Sequence, residues 1–228
     1  MSTSVATAGR VVALEVEAKF SVPDEETFQR LLEADTLGSF RVGSRSVAHL
    51  RDRYLDTADR ALAASGYACR IRRQNGDTLA TLKGRGGVSG AIHRRSEYEV
   101  ALPGSVPPQE WPPSRVRDLT LTLCADQPLV RIFDVEQIRH ISPLYAGDRT
   151  VAQLNLDRVE FGCQHSRSPR ETTLELEVEL QTGGGEADLE TLVAELEETW
   201  GLVPEGRSKF ERGLTLVDSG ALPCEEAG

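Results

Sequence analysis

Charge at every second residue is the feature that most restricts what this chain can become. Glu15, Glu17 and Lys19 alternate with apolar residues, as do Arg70 and Arg72, then Arg95, Glu97 and Glu99, and later Glu175, Glu177 and Glu179. Such alternation is the pattern of a strand whose two faces meet different surroundings. Any one of these strands could be half of a sheet wetted on one side. Together they strain that reading, because the signs are segregated, with three glutamates on one strand and two arginines on another. Side chains two apart on a strand lie about 6.6–7 Å apart. Two partly buried carboxylates at that spacing repel by roughly 2 kcal/mol, taking an effective dielectric of about 20. Something else must supply the opposite charge.

A ligand can do so. Carboxylates converging from several strands form an oxygen cage for a hard divalent cation such as Mg²⁺. Arginine and lysine converging beside them hold phosphate, arginine through paired N–H donors and lysine as a compact charge. A site with both halves fits a metal–polyphosphate complex. Closing the sheet into a barrel would gather these side chains in one lumen while the apolar faces pack on helices.

The order of elements agrees. Val12 to Phe20, His49 to Asp56, Tyr67 to Arg73, Thr78 to Lys83, Arg94 to Leu102, Leu129 to Val135, Gln137 to Leu144, Thr150 to Phe161 and Glu171 to Gln181 read as strands. Asn75-Gly76 is a hairpin turn. Helices are expected over Asp24 to Ala34, from Ser114 to about Leu123, and over Ala187 to Trp200, with a short helical turn over Ala58 to Ser65. Many strands in local order without a βαβ rhythm indicate an α+β fold, mainly an antiparallel sheet or barrel with peripheral helices.

With 228 residues, 39% hydrophobic and 27% charged, the chain suits a single globular domain. We place it at residues 11–217, between disordered tails at 1–10 and 218–228. The net charge of −10 speaks against a broad nucleic-acid-binding face. No run approaches the roughly 20 apolar residues of a membrane helix, and Glu15 and Glu17 interrupt the first apolar stretch too early for a signal peptide. Cys69, Cys124, Cys163 and Cys224 form no Cys-x-x-Cys pair, and His49, His93, His140 and His165 show no ligand spacing. A reduced, cytoplasmic protein is expected.

The ordered set of motifs resembles the CYTH superfamily, the triphosphate tunnel metalloenzymes. Glu15-Val16-Glu17-Ala18-Lys19 matches its E-x-E-x-K pattern, followed by Tyr54-Leu55-Asp56-Thr57, Gly66-Tyr67 with Arg70-Ile71-Arg72, and Thr81-Leu82-Lys83-Gly84. Then come Glu97-Tyr98-Glu99, Asn155-Leu156-Asp157, Leu174 to Glu179 and Ser208-Lys209-Phe210. The resemblance implies an eight-stranded antiparallel β-barrel forming a tunnel. It implies that Lys19, Arg70, Arg72, Lys83 and Lys209 bind triphosphate, with Arg139 joining on a looser match. Glu15, Glu17, Glu97, Asp157, Glu175, Glu177 and Glu179 become the metal-binding acids, with Mg²⁺, or Mn²⁺ in its place, as cofactor.

The expected reaction is metal-dependent hydrolysis of a small triphosphate, inorganic tripolyphosphate first, by a monomer or homodimer. Lys83 and Glu97 are the candidate catalytic groups. A class IV adenylate cyclase, a thiamine-triphosphatase or a non-catalytic polyphosphate- or nucleotide-binding module are the alternatives. Mammalian thiamine-triphosphatases carry Trp two residues before the first Arg of Arg-x-Arg; Ala68 stands there in this chain. Arg73, Arg94 and Arg95 are read as solvated or structural, and Asp56 and Thr57 as organisers of the turn that follows them.

Overall fold

The alternating strands form, and they close on themselves. The computed structural model describes residues 10–125, 127–163 and 171–222, with side chains from Leu14 onward. The strands are β1 (Arg10–Ser21), β2 (Thr36–Leu37), β3 (Phe40–Val42), β4 (Ser46–Asp56), β5 (Tyr67–Gln74), β6 (Asp77–Gly84), β7 (Gly87–Ser89), β8 (Ile92–Leu102), β9 (Val130–Ala146), β10 (Arg149–Gly162), β11 (Glu171–Leu180) and β12 (Val203–Pro204). The helices are α1 (Glu25–Glu33), α2 (Ala61–Ala64), α3 (Arg115–Cys124), α4 (Glu186–Glu198) and α5 (Lys209–Asp218). Eight strands pair antiparallel in the cyclic order β1, β8, β6, β5, β4, β9, β10, β11 and back to β1. The result is the antiparallel barrel expected from the sequence. β2, β3, β7 and β12 are short additions at its margins.

Local chemistry sets the connections. Asn75 and Gly76 have φ of 52° and 91°, and Gln74 pairs with Asp77 across them. Both turn residues are left-handed, which is what a two-residue hairpin needs to match strand twist. Asp24 caps α1 by accepting from the Thr27 N–H at 2.7 Å, and Ser114 caps α3 by accepting from Arg117 N–H at 3.2 Å. Asp56 does organise its turn: it accepts from the backbone N–H groups of Thr57, Leu62 and Ala63, fixing the start of α2.

The outward apolar residues build two belts. Phe28 and Leu31 of α1 and Leu189, Leu192 and Leu196 of α4 pack on Ala18, Phe20, Leu154, Leu156, Leu176 and Val178. Val116 and Cys124 of α3, with Leu62 and Trp111, cover Cys69, Ile71, Ala80, Leu82, Val100 and Leu102. A third cluster lies inside the barrel at one end. There Tyr54, Phe133, Val135, Val159 and Phe161 meet Phe210 of α5, and Tyr54 stacks on Phe133 at 4.7 Å between ring centres. Helix α5 thus stoppers the tunnel. Gly213 permits its approach, since a Cβ there would lie 2.2 Å from the Phe133 ring.

Three expectations need correction. The predicted strands Leu129 to Val135 and Gln137 to Leu144 are one strand, β9. Its inward residues change from Phe133 and Val135 at the stopper to Gln137 and Arg139 in the lumen, and that change of polarity mimics a break. Helix α5 and the β2–β3 pair were not anticipated; the apolar side of α5 is only Phe210, Leu214 and Leu216 to Val217, too short a stripe to stand out. Cys163 is disulfide-bonded, whereas Cys69 and Cys124 are buried free thiols, so the reading of all four cysteines as reduced fails. The proposed tails lie outside the described residues, except Arg10 in β1 and Asp218 to Leu222. Among the described residues no helix is long and apolar enough to cross a membrane.

Candidate functional site

The lumen holds a cavity of about 470 Å³. Its wall carries nine basic side chains and seven acidic ones, so it is net positive inside a chain whose net charge is −10. A polyanion is therefore drawn to this place and repelled by the rest of the surface. The period-two alternation of the strands is the cause, because one face of each is obliged to point inward.

The basic groups come from six elements. On β5, Arg70 and Arg72 lean on Asp52 of β4, which accepts from Arg72 Nε at 2.7 Å and Nη2 at 2.6 Å and from Arg70 Nη1 at 3.5 Å. Gln137 of β9 donates to the same carboxylate at 3.0 Å. Lys83 of β6 donates to Glu15 at 2.9 Å and lies 3.2 Å from Glu97. Arg139 of β9 is forked onto Asp157 at 2.8 and 2.5 Å and reaches Glu177 at 2.6 Å. Lys19 of β1 lies between Glu17 and Glu177, at 3.2 and 3.4 Å. Lys209 opens α5, where Ser208 and Glu211 cap each other reciprocally. That cap aims its ammonium at Asp157, Glu175 and Glu177, at 3.2, 2.9 and 2.8 Å.

Proton affinities follow from these neighbours. Burial works against the Asp52 carboxylate, but Arg72 and Arg70 outweigh it and hold the group at about 2. Burial likewise opposes Glu15, and Lys83 and Arg95 outweigh it, leaving the carboxyl well below its usual range. Lys83 goes the other way: burial and Arg95 lower its pKa despite Glu15 and Glu97. Lys209 is raised, because Glu175, Glu177 and Asp157 outweigh its burial. Glu179 differs from all of these. It has no side-chain hydrogen bond or ion pair among the described residues, and burial together with Glu15 and Glu17 pushes it up to about 7.

The structure brings most of the predicted residues together. Glu15, Glu17, Lys19, Arg70, Arg72, Lys83, Glu97, Arg139, Glu177, Glu179 and Lys209 all line the cavity. Asp157 and Glu175 do not; they lie behind it, where Asp157 holds Arg139 and Lys209, and Glu175 holds Lys209 and Arg212. Asp52, Gln137 and Arg212 escaped the sequence reading. Asp52 is in phase with Tyr54, but a single acid flanked by Arg51 and Arg53 looks solvated until its strand is closed into a barrel. Arg95, read as solvated or structural, is not solvated. It lines the cavity, donating from Nε to Glu15 at 2.8 Å and from Nη2 to Glu17, and its phase with Glu97 and Glu99 was the available signal. Arg73 is exposed, as expected, and Arg94 pairs with the exposed Glu186. Ala68 lines the cavity and presents no aromatic platform at the expected place.

The donor set is compatible with a hard cation. Its carboxylates supply oxygen ligands, and Glu179 is a half-buried acid with no ion pair among the described residues. No group of three or more His, Cys, Asp or Glu is arranged to hold a metal ion among the described residues, because basic groups already engage most of the acids.

Solved structures share the architecture. HpAC1 from Hippeastrum, named as a proposed adenylyl cyclase and described as having a dominant triphosphatase activity, is 22% identical over 94% of this chain and 100% of its own, with a TM-score of 0.68. A proposed adenylate cyclase from Bacillus halodurans is 22% identical over 88% and 97%, with a TM-score of 0.59. PH1819 from Pyrococcus horikoshii is 21% identical over 88% and 98%, with a TM-score of 0.51. At these identities the likeness is one of fold. A family model for the CYTH domain matches residues 13–214, nearly the whole barrel and its stopper helix, and the chain therefore belongs to the CYTH domain family.

Proposed function

We propose that the protein is a Mg²⁺-dependent triphosphatase that hydrolyses small triphosphate compounds, inorganic tripolyphosphate foremost. The observation that carries this reading is the composition of the cavity wall, with nine basic and seven acidic side chains in one lumen. A simple anion binder would be weakened by those acids; a metal–triphosphate complex uses both signs. The triphosphatase activity ascribed to HpAC1, on the same fold, supports it further.

In this reading Arg70, Arg72, Arg139, Lys19 and Lys209 bind and orient the phosphate chain. Glu15, Glu17, Glu97, Glu177 and Glu179 would hold Mg²⁺, or Mn²⁺ in its place, and Asp157 and Glu175 act behind them by positioning Arg139 and Lys209. When bound, the metal neutralises phosphate charge and orients the chain for attack by water. Lys83, whose pKa burial and Arg95 lower, and Glu97, 3.2 Å from it, would manage the proton of that water. Most of the rate enhancement would then be positioning and electrostatics. The absence of an aromatic ring at Ala68 favours an inorganic chain over thiamine triphosphate.

The test is phosphate release from tripolyphosphate, thiamine triphosphate and ATP in parallel, with Mg²⁺, with Mn²⁺ and with EDTA. Metal-dependent hydrolysis fastest on tripolyphosphate is expected. No release from any of them would sink the reading and turn attention to cyclic AMP formation or to binding without turnover.

A further inference from the structure

Arg95 occupies the position where a cation is wanted. Its guanidinium spans Glu15 and Glu17 and is 11% exposed, with Nε 2.8 Å from Glu15 Oε2 and Nη2 on Glu17 Oε1. The same two acids are also touched by Lys83 and Lys19, at 2.9 and 3.2 Å. Yet Lys83 and Lys19 each have a second acid to lean on, Glu97 and Glu177 respectively, whereas among the described residues the side-chain hydrogen bonds and ion pairs of Arg95 all go to Glu15 or Glu17. A divalent cation approaching this pair meets a positive charge already seated there, and the two cannot share the carboxylates at low cost. Arg95 lines the same cavity as Arg70 and Lys83, so a bound polyanion offers its guanidinium another partner.

We propose that Arg95 is a positioning residue that competes internally with the metal. In the free protein it neutralises Glu15 and Glu17. A triphosphate draws the guanidinium toward its own oxygens and frees the carboxylates, so metal and triphosphate bind as a coupled pair. Coupling of this kind is reciprocal: each ligand tightens the other by the same factor. The inference rests on the reading of Glu15 and Glu17 as metal ligands given above.

The experiment is Mn²⁺ titration of the full chain followed by electron paramagnetic resonance, without phosphate, for the parent, Arg95→Gln and Arg95→Lys. Removing the competing charge should tighten Mn²⁺ binding by about tenfold in Arg95→Gln, within the usual span of coupling between sites. Arg95→Lys keeps a cation and should stay within about twofold of the parent on the same scale. A residue that only braced the two glutamates would give the opposite sign, so unchanged or weaker binding in Arg95→Gln overturns the proposal, as does failure of both proteins to bind Mn²⁺. Should Arg95→Gln not fold, the parent decides. Its Mn²⁺ affinity, corrected for metal held by the free analogue, should tighten at least about fivefold with imidotriphosphate, and equal affinities would refute the coupling. None of these readouts involves turnover. A parent that shows the linkage but releases no phosphate would overturn the triphosphatase reading and leave this inference standing.

Discussion

Asp52→Asn tests whether a buried carboxylate outside the cavity wall holds Arg70 and Arg72 in place. Asp52 is 2% exposed and accepts from Arg72 twice, from Arg70 and from Gln137. Asparagine keeps the shape and one acceptor but removes the charge and turns an NH₂ toward existing donors. The size of the loss follows from linkage. The folded carboxyl sits at about 2 against an ordinary 3.8, so its contribution is present above 3.8 and disappears as the pH falls toward 2. At neutral pH that difference is worth about 2 kcal/mol, in line with hydrogen bonds to a charged group. For a chain of this length it lowers the melting temperature by roughly 4–8 °C. The arginines would lose their fixed orientation, raising KM for tripolyphosphate by about tenfold, equivalent to roughly 1.4 kcal/mol. Thermal unfolding at pH 7 and at pH 3, with phosphate-release kinetics, reads all of this, and the stability difference should shrink at pH 3. A variant that melts within about 2 °C of the parent at pH 7 and keeps its KM would refute the reasoning.

Other perturbations probe the stopper and the acids. Gly213→Ala should destabilise by about 1–3 kcal/mol, because the added methyl group collides with the Phe133 ring and α5 must shift; denaturant unfolding checks it, and an unchanged midpoint would dismiss the close fit. Lys209→Met leaves Asp157, Glu175 and Glu177 with only Arg139 and Arg212 as buried counter-charges, which costs about 3–5 kcal/mol at pH 7. Denaturant unfolding at pH 7 reads the loss, and a midpoint equal to the parent's would contradict that account. Glu179, raised to about 7 from 4.5, contributes stability that is fully present below 4.5 and lost as the pH rises through 7. Metal-free Glu179→Gln should therefore gain on the parent between pH 5 and pH 8, by at most about 3 kcal/mol; parallel melting curves across that range would show that the carboxyl is not under strain.

How far the sequence reached depended on whether a residue's role was visible in its own strand. Glu15, Glu17, Arg70, Arg72, Lys83 and Glu177 each stand in phase along one strand, and strand periodicity is local, so their common inward direction was legible once a barrel was assumed. Asn75-Gly76 was legible for the same reason, since a two-residue turn states its own backbone geometry. Roles assigned between strands were not. Asp52 acquires its meaning from Arg72 across the β4–β5 pairing, and Arg95 from Glu15 across the β1–β8 pairing. Asp157 and Glu175 look like the other acids in the chain, but Lys209 and Arg212, carried in by α5, claim them and turn them from the cavity. The alternation, and with it a lumen filled with charge, is a local property of the chain. Which charges meet there depends on register and on the docking of α5, which bring together residues from opposite ends of the chain whose attraction no local pattern records.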